Sequence, residues 1–272
     1  MSRFLLLMAH SVRRARTMVL LTGLLLAAFQ VMLVFVARFI ANSGGFEQLT
    51  ALLPPFAREL MGPYLTSFMS FAGIISAGYI DLGVLGALIA VTVAIGTVPA
   101  AEVESGFVDL LLARPLPRHW LITRSILVML LATLTMLIMM VLGTWLGLEW
   151  LAPRTAKWPT PKLILSLAAN LGLLMLSWGA VAVAVGAASR RRSVASALVG
   201  FLAVTGYLLN YVARIWKPAR SVAWLSPFRY YAPFDLVMGF SIPLQHVLVL
   251  ATICVLGCAA GYVLFARRDI SH

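Results

Sequence analysis

The sequence predicts an all-α, polytopic membrane protein with six transmembrane helices, and two observations carry that expectation. Of 272 residues, 62% are hydrophobic and only 11% charged, where an average soluble domain carries about 25% charged residues. The charges also leave long uninterrupted runs: 21 residues between Arg16 and Arg38, 20 between Asp81 and Glu102, and 24 between Arg124 and Glu149. Three more follow, 27 residues between Lys162 and Arg190, 21 between Arg192 and Arg214, and 31 between Asp235 and Arg267. A helix needs about 20 residues to cross a hydrocarbon core, so each run is long enough. What remains for loops and ends holds no soluble catalytic domain, and residues 1–272 read as a single transmembrane domain.

Residues 1–16 place Phe4, Leu7, Met8 and Val12 at helical spacing against Arg3, His10, Arg13, Arg14 and Arg16. This pattern predicts an N-terminal amphipathic helix lying in the membrane interface. The first span follows at 17–37, and it reads as retained, because its apolar run is too long for a cleaved signal peptide. Asn42, Ser43, Gly44 and Gly45 make a turn. The stretch 60–80 lacks charge but is rich in Gly, Ser, Thr and Pro. It reads as an interfacial or re-entrant piece packed on protein, leading into a second span at 82–101. Asp81 either pairs with an arginine such as Arg58 or caps that span.

A short helix is predicted at 102–114, with later spans at 121–148, 163–189, 194–213 and 244–266. The segment 221–243, before the last span, carries Trp224, Phe228, Tyr230, Tyr231, Phe234 and Phe240. It reads as an external, re-entrant-like aromatic stretch at headgroup level. With six spans and a cytoplasmic start, twelve basic residues fall inside and nine outside; counting 60–80 as a seventh span gives eleven against ten, so the charges favour six by a small margin. Both termini are therefore expected in the cytoplasm, with the chain in the cell (inner) membrane.

The net charge of +12 sits mainly at span ends, where arginines meet anionic lipid headgroups, so the expected partners include membrane lipids and exclude nucleic acid. Cys254 and Cys258 share a face of the last span as packing residues. The four histidines, His10, His119, His246 and His272, lack zinc-site spacing, and no Gly-x-Ser-x-Gly or Gly-Lys phosphate cradle occurs. No catalytic residue, metal ligand or cofactor is assigned to this chain, and it is not read as an enzyme.

The segment between the second and third spans holds the most information. Glu102 and Glu104 open it, Arg114 closes it, and Pro115 and Pro117 end it, in the order a helix macrodipole favours. Val103, Phe107, Leu110, Leu111 and Arg114 fall on one stripe at three- and four-residue spacing. One reading is an interfacial connecting helix with its stripe on lipid. The string also resembles the cytoplasmic segment of ABC-2-type permeases, the type V exporter-like membrane subunits of ATP-driven exporters. An acidic start, a central glycine, a leucine pair, a proline and an arginine recur there, here Glu102, Glu104, Gly106, Leu110, Leu111, Pro115 and Arg118. Phe107 replaces a usual threonine, and Arg124 stands where a lysine is common. Leu225–Pro233 resembles that family's Ser-Pro-aromatic stretch before the last span.

The resemblance implies a coupling helix that docks in a soluble ABC ATPase subunit. Two such ATPases, which hold the ATP and Mg2+, would serve two copies of this chain in an exporter. It also implies that spans two and five flank a substrate cavity. Among the polar span residues Gln30, Thr92, Thr97, Asn170, Tyr207, Asn210 and Tyr211, this favours Thr92, Thr97, Tyr207, Asn210 and Tyr211 as the pathway, each weighed against a plain interhelical hydrogen bond. The alternatives are an ion-driven secondary transporter, whose expected carboxylate is missing from the span cores, or an intramembrane enzyme. Substrate identity is not written in the sequence.

Overall fold

The computed structural model describes residues 3–43, 69–106, 119–154 and 156–267. Its helices are α1 (Arg3–Asn42), α2 (Phe71–Ile80), α3 (Leu82–Gly96), α4 (Val98–Glu104), α5 (His119–Leu151) and α6 (Pro161–Ala188). They continue with α7 (Arg192–Ile215), α8 (Lys217–Arg220), α9 (Pro233–Val237) and α10 (Leu244–Ala266), with 3-10 turns at Ala223–Leu225 and Pro227–Tyr230. Among the described residues, six helical stretches are long and apolar enough to cross a membrane: Met8–Asn42, Phe71–Gly96, His119–Leu151, Pro161–Ala188, Arg192–Ile215 and Leu244–Ala266. The protein is an all-helical, six-span, multi-pass membrane protein.

The first helix departs from the expected division into an interfacial helix at 1–16 and a span at 17–37. α1 runs unbroken for 40 residues, about 60 Å at 1.5 Å per residue and roughly twice the hydrocarbon thickness. No glycine or proline stands between Arg3 and Thr22, so nothing in the sequence breaks the ladder where the arginines give way to the apolar run.

The second span also differs. Its helical path begins at Phe71 rather than Leu82, with the Ser70 side chain capping α2 by accepting from the Gly73 N–H at 3.0 Å. Residues 71–80 are thus a helix packed on α1 and α6, while 60–68 lie outside the described residues. At Asp81 the backbone turns extended, and its Oδ1 accepts from the N–H groups of Gly83 (2.8 Å) and Val84 (3.1 Å). Asp81 is the N-cap of α3, one of the two roles its position allowed. The path breaks again at Thr97, and α4 starts with Pro99 in its first turn, where a missing N–H costs nothing.

α6 is the central helix and the most buried of the six, while α7 and α10 are the least buried. It packs on α3, α5, α7 and α10. Small residues set the closest approaches. A Cβ on Gly143 of α5 would lie 2.5 Å from the Ala27 carbonyl oxygen, and one on Gly257 of α10 would lie 2.8 Å from the Ala180 carbonyl carbon. In lipid, where apolar burial drives little helix association, such backbone contact is the main attraction.

The chain's alternating passes define two ends. One gathers the starts of α1, α5 and α7 with the ends of α3 and α4, and the Thr123 and Tyr262 hydroxyls, 2.7 Å apart, bring the end of α10 there too. We term it the basic end, since Arg13, Arg14, Arg16, Arg124 and Arg190–Arg192 collect there. The opposite end is covered by the segment 217–243, whose prolines open successive short helices: Pro218 in α8, Pro227 in the second 3-10 turn and Pro233 in α9. This cover is bonded to the bundle. Ser226 Oγ donates to the Gly206 carbonyl at 2.8 Å, and the Tyr231 hydroxyl donates to the Tyr79 carbonyl at 2.6 Å.

Candidate functional site

At the basic end the 98–106 stretch is tied to two spans by charge. The Glu102 carboxylate takes a hydrogen bond from Arg124 Nη2, with 4% of the arginine and 8% of the glutamate side chain exposed. One turn-edge further, Glu104 Oε2 accepts from the backbone N–H of Arg192 at 2.9 Å, and Arg192 Nη2 donates to the Ala94 carbonyl at 3.0 Å. Thr97 Oγ1 lies 3.1 Å from Ser196 Oγ. Each link joins the end of the second span to the beginning of α5 or α7, so a force on residues 98–106 reaches both helices.

The local geometry revises the expected helix at 102–114. Glu102 and Glu104 lie in the last turn of α4, and that helix ends at Ser105 and Gly106, where Gly106 adopts φ 66°. A left-handed glycine just past a helix end terminates it, so α4 closes at this point. Glu102 does not face outward either: its carboxylate is turned into the bundle. Val103 is half-buried against the core, and Glu104 is exposed. Phe107, Leu110, Leu111, Arg114, Pro115 and Arg118 lie outside the described residues.

Of the five pathway candidates, Thr92 is fully buried and its hydroxyl donates within its own helix, to Leu88 O (2.9 Å) and Ile89 O (3.0 Å). It lines neither of the cavities at α7. Thr97 serves the α3–α7 link. Tyr207, Asn210 and Tyr211 do come together, around a cavity of about 240 Å3 completed by Phe228, Tyr231 and Phe234 from the covering segment. The Arg214 guanidinium lies 5.4 Å above the Phe234 ring, a cation–π distance. Phe228 is held between Trp178 at 5.7 Å and Tyr207 at 5.6 Å. Tyr207 and Phe228 also close one end of an apolar groove of about 600 Å3 between α3 and α7, floored by Gly86, Ala90, Gly200 and Ala203. Burial, and secondarily the nearby Tyr79 phenol, raises the pKa of Tyr231.

Three residues outside the expected site belong to it. Arg124 holds Glu102, Arg192 holds Glu104, and Phe228 reaches the cavity from the covering segment. The first pair was legible in principle, since opposite charges flank two successive spans on one side. Gln30 and Asn170 are buried in the span interior, and neither side-chain polar atom of either has a hydrogen-bond partner among the described residues.

These features define a six-span helical membrane protein with a charge-tied junction at its basic end and an aromatic cavity under its cover. The chain belongs to the family described as protein of unknown function DUF2705, which matches residues 31–271. No curated protein matches the sequence.

Proposed function

We propose that the chain is the permease subunit of an ATP-binding cassette exporter of the ABC-2 type, working as a homodimer with two separate ATPase subunits that carry ATP and Mg2+. The observation that carries this reading is the anchoring of the acidic start of the 102–118 segment: Glu102 to Arg124 and Glu104 to Arg192. A lever between an ATPase and a bundle needs rigid attachment to more than one span, because coupling travels only through elements held in discrete arrangements. Residues 98–106 have that attachment to α5 and α7, and the segment they open is the one resembling the family's coupling element. The basic end then faces the cytoplasm, in accord with its arginines.

ATP-driven closure of the ATPases would move the two junctions and, through α5 and α7, change the width of the space beside α3 and α7. The apolar groove there suits a second copy of the chain, with Gly86 and Gly200 open to close approach, since a Cβ on either meets nothing within 4 Å. Tyr207, Asn210 and Tyr211 would line the path on the covered side, whereas Thr92 and Thr97 serve structure.

The test is co-purification with a candidate soluble ABC ATPase subunit. Leu110→Asp should abolish ATPase binding while the permease stays inserted and folded. Unchanged binding and unchanged stimulation of hydrolysis would remove the docking role. Glu102→Lys is unsuited to this purpose, because it breaks a buried ion pair and so perturbs the fold itself.

A further inference from the structure

At the basic end, α1, α3, α4, α5 and α7 surround an open cavity of about 450 Å3. Arg14, Arg124 and Arg192 line it together with one carboxylate, Glu102, while Met18, Val98 and Val128 make an apolar wall. Three guanidinium groups against one carboxylate leave the lining at a formal charge of +2, which selects an anion. The donors are not used up. Arg14 makes no hydrogen bond or ion pair among the described residues, and Arg192 spends Nη2 on a backbone carbonyl, leaving the rest of its fork of five N–H groups. A second observation narrows the ligand: Glu102 Oε2 is buried and has no hydrogen-bond partner among the described residues. A buried carboxylate oxygen without a donor costs free energy, so the occupant should supply a hydroxyl as well as an anionic group.

We propose that this cavity seats an anionic phospholipid with a hydroxylated headgroup, of the phosphatidylglycerol kind, from the leaflet at the basic end. The phosphate lies between Arg14 and Arg192, a headgroup hydroxyl donates to Glu102 Oε2, and an acyl chain follows the wall formed by Met18, Val98 and Val128. The apolar wall and the position between the ends of four spans favour a lipid over a soluble phosphate, and basic pockets between spans are a recurrent place for lipid headgroups. The bound lipid would bridge α1 to the junction held by α4, α5 and α7. The inference needs no ATPase and stands apart from the coupling role.

The experiment uses the full-length chain alone in phosphatidylcholine nanodiscs doped with equal amounts of phosphatidylglycerol and phosphatidylethanolamine, with retained lipid read by native mass spectrometry. Phosphatidylglycerol should be retained at least tenfold over phosphatidylcholine, and Arg14→Gln should lower its retention about tenfold, the scale of one charge-assisted hydrogen bond. Arg13→Gln makes the same charge change one position away, outside the cavity lining, and should leave retention within about twofold. Retention unchanged by Arg14→Gln, or equal retention of phosphatidylethanolamine, would overturn the site. Displacement of the lipid by millimolar glycerol 3-phosphate would show a soluble phosphate site and overturn the lipid assignment.

Discussion

The Glu102 carboxylate and the Arg124 guanidinium meet almost wholly out of solvent, joining the end of the second span's helical path to the start of the third. Burying two charges is costly, and losing one partner leaves the other uncompensated, at about 3–5 kcal/mol. Glu102→Gln and Arg124→Gln should therefore each lower the unfolding temperature in detergent by about 10 °C. The double replacement by leucine, which removes both charges and keeps volume, should recover most of the loss. A double variant as unstable as either single one would mean that the contact is not what holds this junction.

Glycine substitutions should separate closed seams from open faces. Gly143→Val puts branched carbon atoms against the Ala27 backbone, where a single Cβ already sits 2.5 Å from the carbonyl oxygen. It should prevent α1 and α5 from packing, seen as aggregation on extraction. Gly86→Ala and Gly200→Ala meet open space and should change monomer stability by under about 0.5 kcal/mol. Comparable thermal melts for all three would contradict the seam.

The open glycines serve a different prediction. If α3 and α7 meet a second copy of the chain, Gly200→Leu fills the groove floor and should shift the protein toward monomer in crosslinking or mass photometry, with its melting temperature held. An unaltered dimer would place the partner surface elsewhere.

Much of the membrane architecture was legible because hydrocarbon imposes a blunt rule: charges stay out of the spans, so their spacing marked six crossings. The third through sixth run His119–Leu151, Pro161–Ala188, Arg192–Ile215 and Leu244–Ala266. The breaks were harder, since each depends on one side chain or one φ angle. Asp81 turns its carboxylate back on Gly83 and Val84, and Gly106 adopts a left-handed conformation that closes α4. Contacts such as Tyr231 to Tyr79, across 152 positions, leave no local trace. The same holds for the aromatic cavity: Tyr207, Asn210 and Tyr211 were identifiable as polar span residues, but Phe228 and Phe234 join them only because the covering segment folds onto α7.

The Tyr231 hydroxyl satisfies the Tyr79 carbonyl at the end of α2, where a helix leaves its last carbonyls without partners. Tyr231→Phe should cost about 1–3 kcal/mol and loosen the cover, read as faster proteolysis within 217–243. The pH dependence has a definite sign. The folded-state pKa of Tyr231 is raised by burial, so its stabilisation is present below the unfolded value of about 10 and is lost as pH rises above it. Wild-type stability should hold from pH 7 to 9 and fall beyond 10, and Tyr231→Phe should fall less over that upper range. Identical alkaline profiles would count against the buried phenol.

The most direct test of the central claim is nucleotide turnover in lipid nanodiscs, comparing the chain alone, a candidate soluble ABC ATPase alone, and the two together. The permease reading predicts no turnover by the chain alone, stable co-elution with the ATPase at two copies each, and loss of that co-elution in Leu110→Asp. Transport that runs on a proton gradient without ATP, or an ATPase that ignores the chain entirely, would contradict it.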